Sequence, residues 1–152
     1  MALQVGDKAP EVLGVNQDGK EIRLSDFAGK KLVLYFYPKD NTPGCTAQAC
    51  SLRDGYDELR KQGYEVIGVS ADSAASHLKF IEKQGLPFNL IADTDKKLAE
   101  TFGTWGEKTL YGKVYMGMFR TTFLIDENGV ITRVIPPKEV NTKDHSSQIL
   151  SV

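Results

Sequence analysis

The chain has 152 residues, a length suited to one domain over 1–152 with a buried core. An apolar share of 41% and a charged share of 26% fit a globular protein, and 19 basic against 20 acidic residues leave a formal charge of −1. No field of one sign is available for nucleic acid or a charged membrane surface, and no apolar run approaches a membrane span. The first residues lack the basic-then-apolar layout of a secretory signal, so a cytoplasmic location is expected. In that compartment paired cysteines serve transient redox chemistry more often than structural cross-links.

In chain order, residues 1–10 read as irregular or edge-like. Between 11 and 24, Asp18-Gly19 separates two partly apolar flanks, which predicts a hairpin. Ser25-Asp26 leads into a short turn closed by Gly29. Residues 31–37 follow two lysines with an unbroken apolar run, the pattern of a strand buried on both faces. Pro38 ends it, and a polar loop with Thr42, Pro43 and Gly44 leads to Cys45. No proline or glycine then intervenes until Gly55, so a helix is expected with Cys45 in its first turn and Gly63 at its close. Gly55 weakens that helix by about 1 kcal/mol relative to alanine and is a candidate bend.

A strand over 64–70 follows. Next come a helix over 73–84, with Leu78 and Ile81 on one face and Gly85 as its stop, and a short strand over 88–92. Asp93-Thr94 starts another helix, with Leu98 and Phe102 four apart and Gly103 after it. This alternation argues for parallel strands joined by crossover helices. Residues 103–117, with Trp105 and several glycines, read as a long loop. Residues 118–126 and 130–135 flank Glu127-Asn128-Gly129, a hairpin signal. Pro136-Pro137 ends the second strand, and residues 144–150 form a last short helix.

The chemistry concentrates around Cys45 and Cys50, the two cysteines of the chain. The first N–H groups of a helix have no partner inside it, and the helix dipole adds partial positive charge there. A thiolate is a favoured guest of such a place. An ordinary thiol is about 3% ionised at pH 7, so full ionisation accelerates its reactions by no more than about 30-fold. Anything faster requires groups that stabilise the transition state, and the nearby Thr42 is one candidate. At a spacing of five on a helix, the two Cα atoms lie roughly 8–9 Å apart, beyond the reach of a disulfide. A redox cycle between a folded dithiol and a locally unwound disulfide fits this spacing. Buried, inert cysteines are the plainer reading, and for Cys50 alone an apolar helix face explains it as well.

His77 and His145 are far apart and, with the two cysteines, fit no zinc spacing; each reads as a satisfied surface or helix histidine. No phosphate-binding glycine loop or dinucleotide fingerprint occurs, so no nucleotide or flavin is indicated. Arg120 lies in what should be a half-buried strand. It reads either as an arginine snorkelling on the solvent face or as a cation brought beside Cys45. Sequence physics does not choose among Arg23, Arg53, Arg60, Arg120 and Arg133.

The segment PKDNTPGC, with Pro38, Thr42 and Cys45, resembles the P-x-x-x-T-x-x-C motif of peroxiredoxins, and the second cysteine five positions on resembles their Q subfamily, the bacterioferritin comigratory protein group. The likeness runs from GDKAPEVLGVNQDG through WGEK and FRTTFLID to NTKDHSSQIL. It implies a thioredoxin-like α/β fold, a central mixed sheet flanked by helices with an added N-terminal hairpin. It also implies a thiol peroxidase acting on hydrogen peroxide and organic hydroperoxides. On that resemblance Cys45 attacks the peroxide, Arg120 and Thr42 bind its oxygens, Pro38 shields the pocket and Cys50 resolves the sulfenic acid. Arg53 is a candidate second cation. Thioredoxin or a similar dithiol is the expected reductant, no metal or organic cofactor is expected, and a monomer is the expected state, with a weak homodimer as the alternative. Three rival readings are a protein thiol–disulfide oxidoreductase, a redox-sensing binding module and a structural domain with inert thiols.

Overall fold

The structure, a computed structural model, describes residues 3–151. Its centre is a five-stranded sheet in the order β5 (Asn89–Ala92), β4 (Tyr64–Ser70), β3 (Lys31–Phe36), β8 (Thr121–Ile125), β9 (Ile131–Ile135). Strand β3 pairs in parallel with β4 and antiparallel with β8. Strand β4 pairs in parallel with β5, and β8 pairs antiparallel with β9. The sheet is therefore mixed.

The unbroken apolar run of β3 is explained by what lies on each side. Leu32, Leu34 and Phe36 point into one core with Ile67, Val69, Phe123 and Phe102. Val33 and Tyr35, and Tyr37 just beyond the strand, point into the other with Leu52, Leu59, Phe80 and Ile149. The second core is covered by α1 (Pro43–Asp54), α2 (Tyr56–Lys61), α3 (Ala74–Gln84) and α5 (His145–Leu150). The first is covered by α4 (Lys97–Phe102) and by the N-terminal hairpin of β1 (Val12–Val15) and β2 (Glu21–Arg23). That hairpin also guards the β5 edge. Asn16 bridges to Ile91, while Gln17 donates to Asn89 and accepts from the Leu90 N–H. A Cβ at Gly14 would lie 2.8 Å from Ile91 Cγ2, so only glycine permits this approach.

Several expectations need correction. Residues 103–117 are not a loop: β6 (Trp105–Leu110) and β7 (Lys113–Met118) form an antiparallel hairpin. Its two-residue turn has positive φ at both Tyr111 (52°) and Gly112 (77°), the primed geometry that matches strand twist. The expected helix after Cys45 is divided at Gly55 into α1 and α2. A Cβ on Gly55 would lie 2.4 Å from Ser146 Cβ, so the glycine there lets α5 pack closely. On α3 the buried face carries His77 and Phe80, whereas Leu78 is exposed. Helix α4 starts at Lys97, later than expected, because the Asp93 carboxylate takes the N–H groups of Leu98 and Ala99. Arg120 lies between β7 and β8, outside both strands. Both histidines are satisfied helix residues, His77 on α3 and His145 on α5, and both are buried, not on the surface. No helix among the described residues is long and apolar enough to cross a membrane.

His145 fastens α5 to the sheet. Its Nε2 meets the Thr122 hydroxyl at 2.8 Å and its Nδ1 the Gln148 side-chain oxygen at 2.9 Å. Burial holds its imidazole below the ordinary histidine range, so it is neutral, donating from Nδ1 and accepting at Nε2. A depressed histidine value means that the unfolded chain binds the extra proton first. Stability is therefore full above about pH 6.5 and falls as pH drops through the folded value. Urea unfolding across pH 7.5 to 5 should show this decline, and His145→Gln should flatten it. Separately, Gly55→Ala should cost about 1–3 kcal/mol through overpacking against Ser146. Adding Ser146→Gly should recover most of that loss in the same urea assay.

Candidate active site

Strand β3 stops at Pro38, and the chain turns through a short loop into α1. Thr42 is the N-cap residue in an extended conformation, Pro43 is the first helical residue and Cys45 the third. Proline suits that first position because its missing N–H would be unpaired there anyway. The Thr42 side chain makes no capping bond. Its hydroxyl instead donates to the Lys39 carbonyl at 2.8 Å, so while that bond holds Thr42 presents lone pairs to a ligand, not a proton. Pro38 is half-buried at the loop's start.

Cys45 is 1% exposed and packs beside Tyr35, Tyr37 and Ala49. The Arg120 guanidinium reaches it from across the site. One nitrogen, Nη2, lies 3.3 Å from Cys45 Sγ, and the other, Nη1, donates to Gln48 Oε1 at 2.7 Å. Residues 45 and 48 are three apart on α1 and share a face, so one planar fork meets both. Gly44 makes room for it, since a Cβ there would lie 3.2 Å from Arg120 Nη2. Arg120 is thus the arginine, of the five left open by sequence physics, that sits at Cys45.

Arg53 is placed elsewhere. It pairs with Asp54 at 2.9 Å and donates to the Gln84 carbonyl at 2.7 Å, which points it at the end of α3 on the Cys50 side. Cys50 is half-buried, with Sγ 3.4 Å from Gln84 Oε1. Both cysteines are free thiols on one intact helix.

Three neighbours of Cys45 were missed in the sequence. Gln48 is wholly buried, and its amide nitrogen has no partner among the described residues. Its position one turn after Cys45 was a usable signal. Tyr35 also buries an unpartnered hydroxyl, and burial, reinforced by the nearby Cys45 charge, pushes its phenol well above the ordinary range. Lys108 lies with its ammonium 5.3 Å from the Phe119 ring centre. Burial and the Arg120 charge lower its value, while Cys45 raises it, which places Lys108 within electrostatic reach of the thiol. Nothing in the local sequence around Lys108 signals this, because only the pairing of β6 with β7 brings the lysine toward the thiol.

A cysteine in the first turn of a helix, met by an arginine at the β3–β8 end of a mixed sheet of this topology, fits a thioredoxin-like thiol enzyme. The sequence pattern of the AhpC/TSA family matches residues 5–134. Peroxiredoxin Bcp of Escherichia coli strain K12 is 45% identical over 149 residues, covering 98% of this chain and 94% of the relative. Peroxiredoxin Bcp of Bacillus subtilis strain 168 is 45% identical over 150 residues, covering 99% and 94%. Among solved structures, a cysteine-to-serine mutant of PrxQ from Xylella fastidiosa superposes with a TM-score of 0.89 at 32% identity, covering 99% of this chain and 95% of that one. The chain belongs to the AhpC/TSA family, as a peroxiredoxin of the Bcp or Q group, and is a peroxidase.

Gln48→Ala removes a hydrogen bond to a charged group and opens a cavity at a wholly buried position. A loss of about 2–3 kcal/mol is expected in urea unfolding, with Arg120 released from Cys45.

Proposed function

We propose that Cys45 is the nucleophile that reduces hydrogen peroxide and organic hydroperoxides. The observation that carries this reading is the Arg120 fork 3.3 Å from Cys45 Sγ at the start of α1. The thiolate attacks the terminal oxygen of the hydroperoxide. The O–O bond breaks, a proton joins the departing oxygen, and water or an alcohol leaves. Cys45 is then a sulfenic acid. Charge moves from sulfur to the departing oxygen during this step, and Arg120 together with the first helix N–H groups faces that movement. The Thr42 oxygen accepts a hydrogen bond from the hydroperoxide O–H, consistent with its own hydrogen being held by the Lys39 carbonyl. Pro38 walls the pocket against water.

The first turns of α1 then unwind. Cys50 attacks the sulfenic sulfur, water leaves and a Cys45–Cys50 disulfide forms. An external dithiol, thioredoxin or a similar protein, attacks that disulfide and restores both thiols. Because both cysteines lie on one helix, the cycle needs no second copy, and a monomer is the working unit of this reading. A reducing compartment such as the cytoplasm supplies the dithiol. No step calls on a metal or an organic cofactor.

Stopped-flow mixing with hydrogen peroxide, read by Trp105 fluorescence, tests the proposal. Cys45→Ser should be inert. Cys50→Ser should halt at a sulfenic acid that dimedone traps. Arg120→Met should react at least about 10²-fold more slowly, the scale of losing one preorganised donor to a developing charge. A wild-type rate no greater than that of a fully ionised ordinary thiol would sink the assignment of Arg120 and Thr42.

A further inference from the structure

Beneath the loop that carries Pro38 and Thr42 lies a buried polar cluster that the reaction above does not use. Asp40 is the loop's inward-pointing residue, 5% exposed between the exposed Lys39 and Asn41. Asn41 has φ of 61°, the left-handed region, so the loop is held in a conformation few residues adopt freely. The Asp40 carboxylate takes three hydrogen bonds. Tyr37 donates its hydroxyl to Oδ1 at 2.5 Å, Ser76 donates to Oδ2 at 2.8 Å, and His77 Nδ1 lies 2.7 Å from Oδ2. The Asp40 N–H donates to Asp72 Oδ2 at 2.7 Å, and Ser70 donates to that same oxygen at 2.9 Å. The titratable groups around the pair are Tyr37 from the end of β3, Asp72 from the segment after β4 and, within electrostatic reach of Asp40, the buried Tyr35 of β3.

His77 has 0% exposure, so water satisfies neither ring nitrogen. Its second nitrogen, Nε2, lies 2.9 Å from the Ile91 carbonyl oxygen. A backbone carbonyl only accepts. The Asp40 carboxyl also only accepts, because the hydrogen bonds from His77, Tyr37 and Ser76 more than offset burial and hold it below the usual carboxylate range. The Tyr37 hydroxyl lies farther off, 3.5 Å from Nδ1, and gives its hydrogen to Asp40, so a ring with one proton would press a lone pair against one of these two oxygens. The contact geometry is satisfied when both nitrogens carry hydrogen. The other buried histidine shows the contrast: His145 has one donor-capable and one acceptor-only partner and suits the neutral ring.

We infer that His77 and Asp40 form a buried imidazolium–carboxylate pair that acts as a positioning device for Cys45. It pins the loop from Pro38 to Thr42 to α3, which His77 in turn fastens to β5, and so fixes the N-cap of α1. This rests on Cys45 being the reacting group. Four elements meet at the pair: the end of β3 through Tyr37, the loop through Asp40, α3 through Ser76 and His77, and β5 through the Ile91 carbonyl. The loop has no apolar anchor of equal depth between Tyr37 and Cys45. With the pair broken, Asp40 is left as a buried charge without its counterion, a situation that drives a group toward water. The loop would follow it outward and carry Thr42 away from the helix start.

Two measurements on the reduced full chain test this. Proton–nitrogen spectra of histidine-labelled protein near pH 7.5 should show a hydrogen on each ring nitrogen of His77, assigned by its loss in His77→Gln. His145 should show one hydrogen, on Nδ1. A single-proton His77 ring overturns the inference whatever the enzyme's rate. In stopped-flow, His77→Gln and Asp40→Asn should each slow Cys45 oxidation about tenfold or more, the scale of one lost hydrogen bond to a charged group. The double variant should be no slower than the slower single, since the two residues act as one unit. If either variant fails to fold, Ser76→Ala removes one bond to the same Asp40 oxygen and should slow the reaction a few-fold. Folded variants that oxidise at the wild-type rate overturn the positioning role. A wild type that itself reacts slowly overturns the proposed peroxidase site and leaves the spectroscopic arm standing.

Discussion

The site depends on one guanidinium that must touch two residues of the same helix at once. Arg120 reaches Cys45 Sγ with one nitrogen and Gln48 Oε1 with the other. That is possible only while residues 45 and 48 stand on one face of an intact turn, and only because Gly44 has no side chain in the way. The fork therefore reports on the state of the helix. When α1 is wound, the arginine is at the sulfur; when its first turn opens, the contact is lost with it. In the proposed cycle, reactivity toward an electrophile and access for a second thiol belong to different conformations, and a single side chain distinguishes them.

The rest of the fold can be read as support for that contact. Strand β3 is buried on both faces and delivers the loop at a fixed place. The β6–β7 hairpin ends at Met118, whose side chain is buried, and Arg120 follows two residues later, so the hairpin root sets where the arginine begins. Phe119 packs against Gly106 and under Lys108, which ties the hairpin to the residue before the arginine. On the far side of α1, Cys50 and Arg53 both engage Gln84 at the end of α3. The two cysteines are thus tied to different neighbours, one to the arginine of the β7–β8 junction and one to the end of a crossover helix.

Much of the architecture was legible in local pattern. The apolar run of β3, the glycine after α3 and the Asp-Gly and Asn-Gly turns each carry their own physical signature, and the elements they predict are present. The first-turn position of Cys45 followed from Pro43 and the absence of breakers after it. What escaped was set by tertiary context. Residues 105–118 lacked an Asn-Gly turn, and Tyr111 adopts the left-handed conformation that sequence assigns to glycine or asparagine. His77 displaced Leu78 from the buried face of α3 because a polar cluster awaited it, a fact invisible to apolar periodicity. Gln48 and Lys108 escaped because nothing in their own neighbourhoods reveals which distant cation or thiol they face.

The turn at Gly55 has a consequence for how far disorder travels. A helix melts cooperatively, because each opened bond lowers the cost of opening the next. Had α1 and α2 been one continuous rod, opening at Cys45 would have been coupled along the chain as far as Lys61. Divided at Gly55, the two segments are separate cooperative units. Leu59 of α2 stays sealed in the core under β4, and Gly55 itself is locked against Ser146. The boundary acts as a firebreak: order lost in the first turns of α1 meets the Gly55–Ser146 contact before it reaches α2.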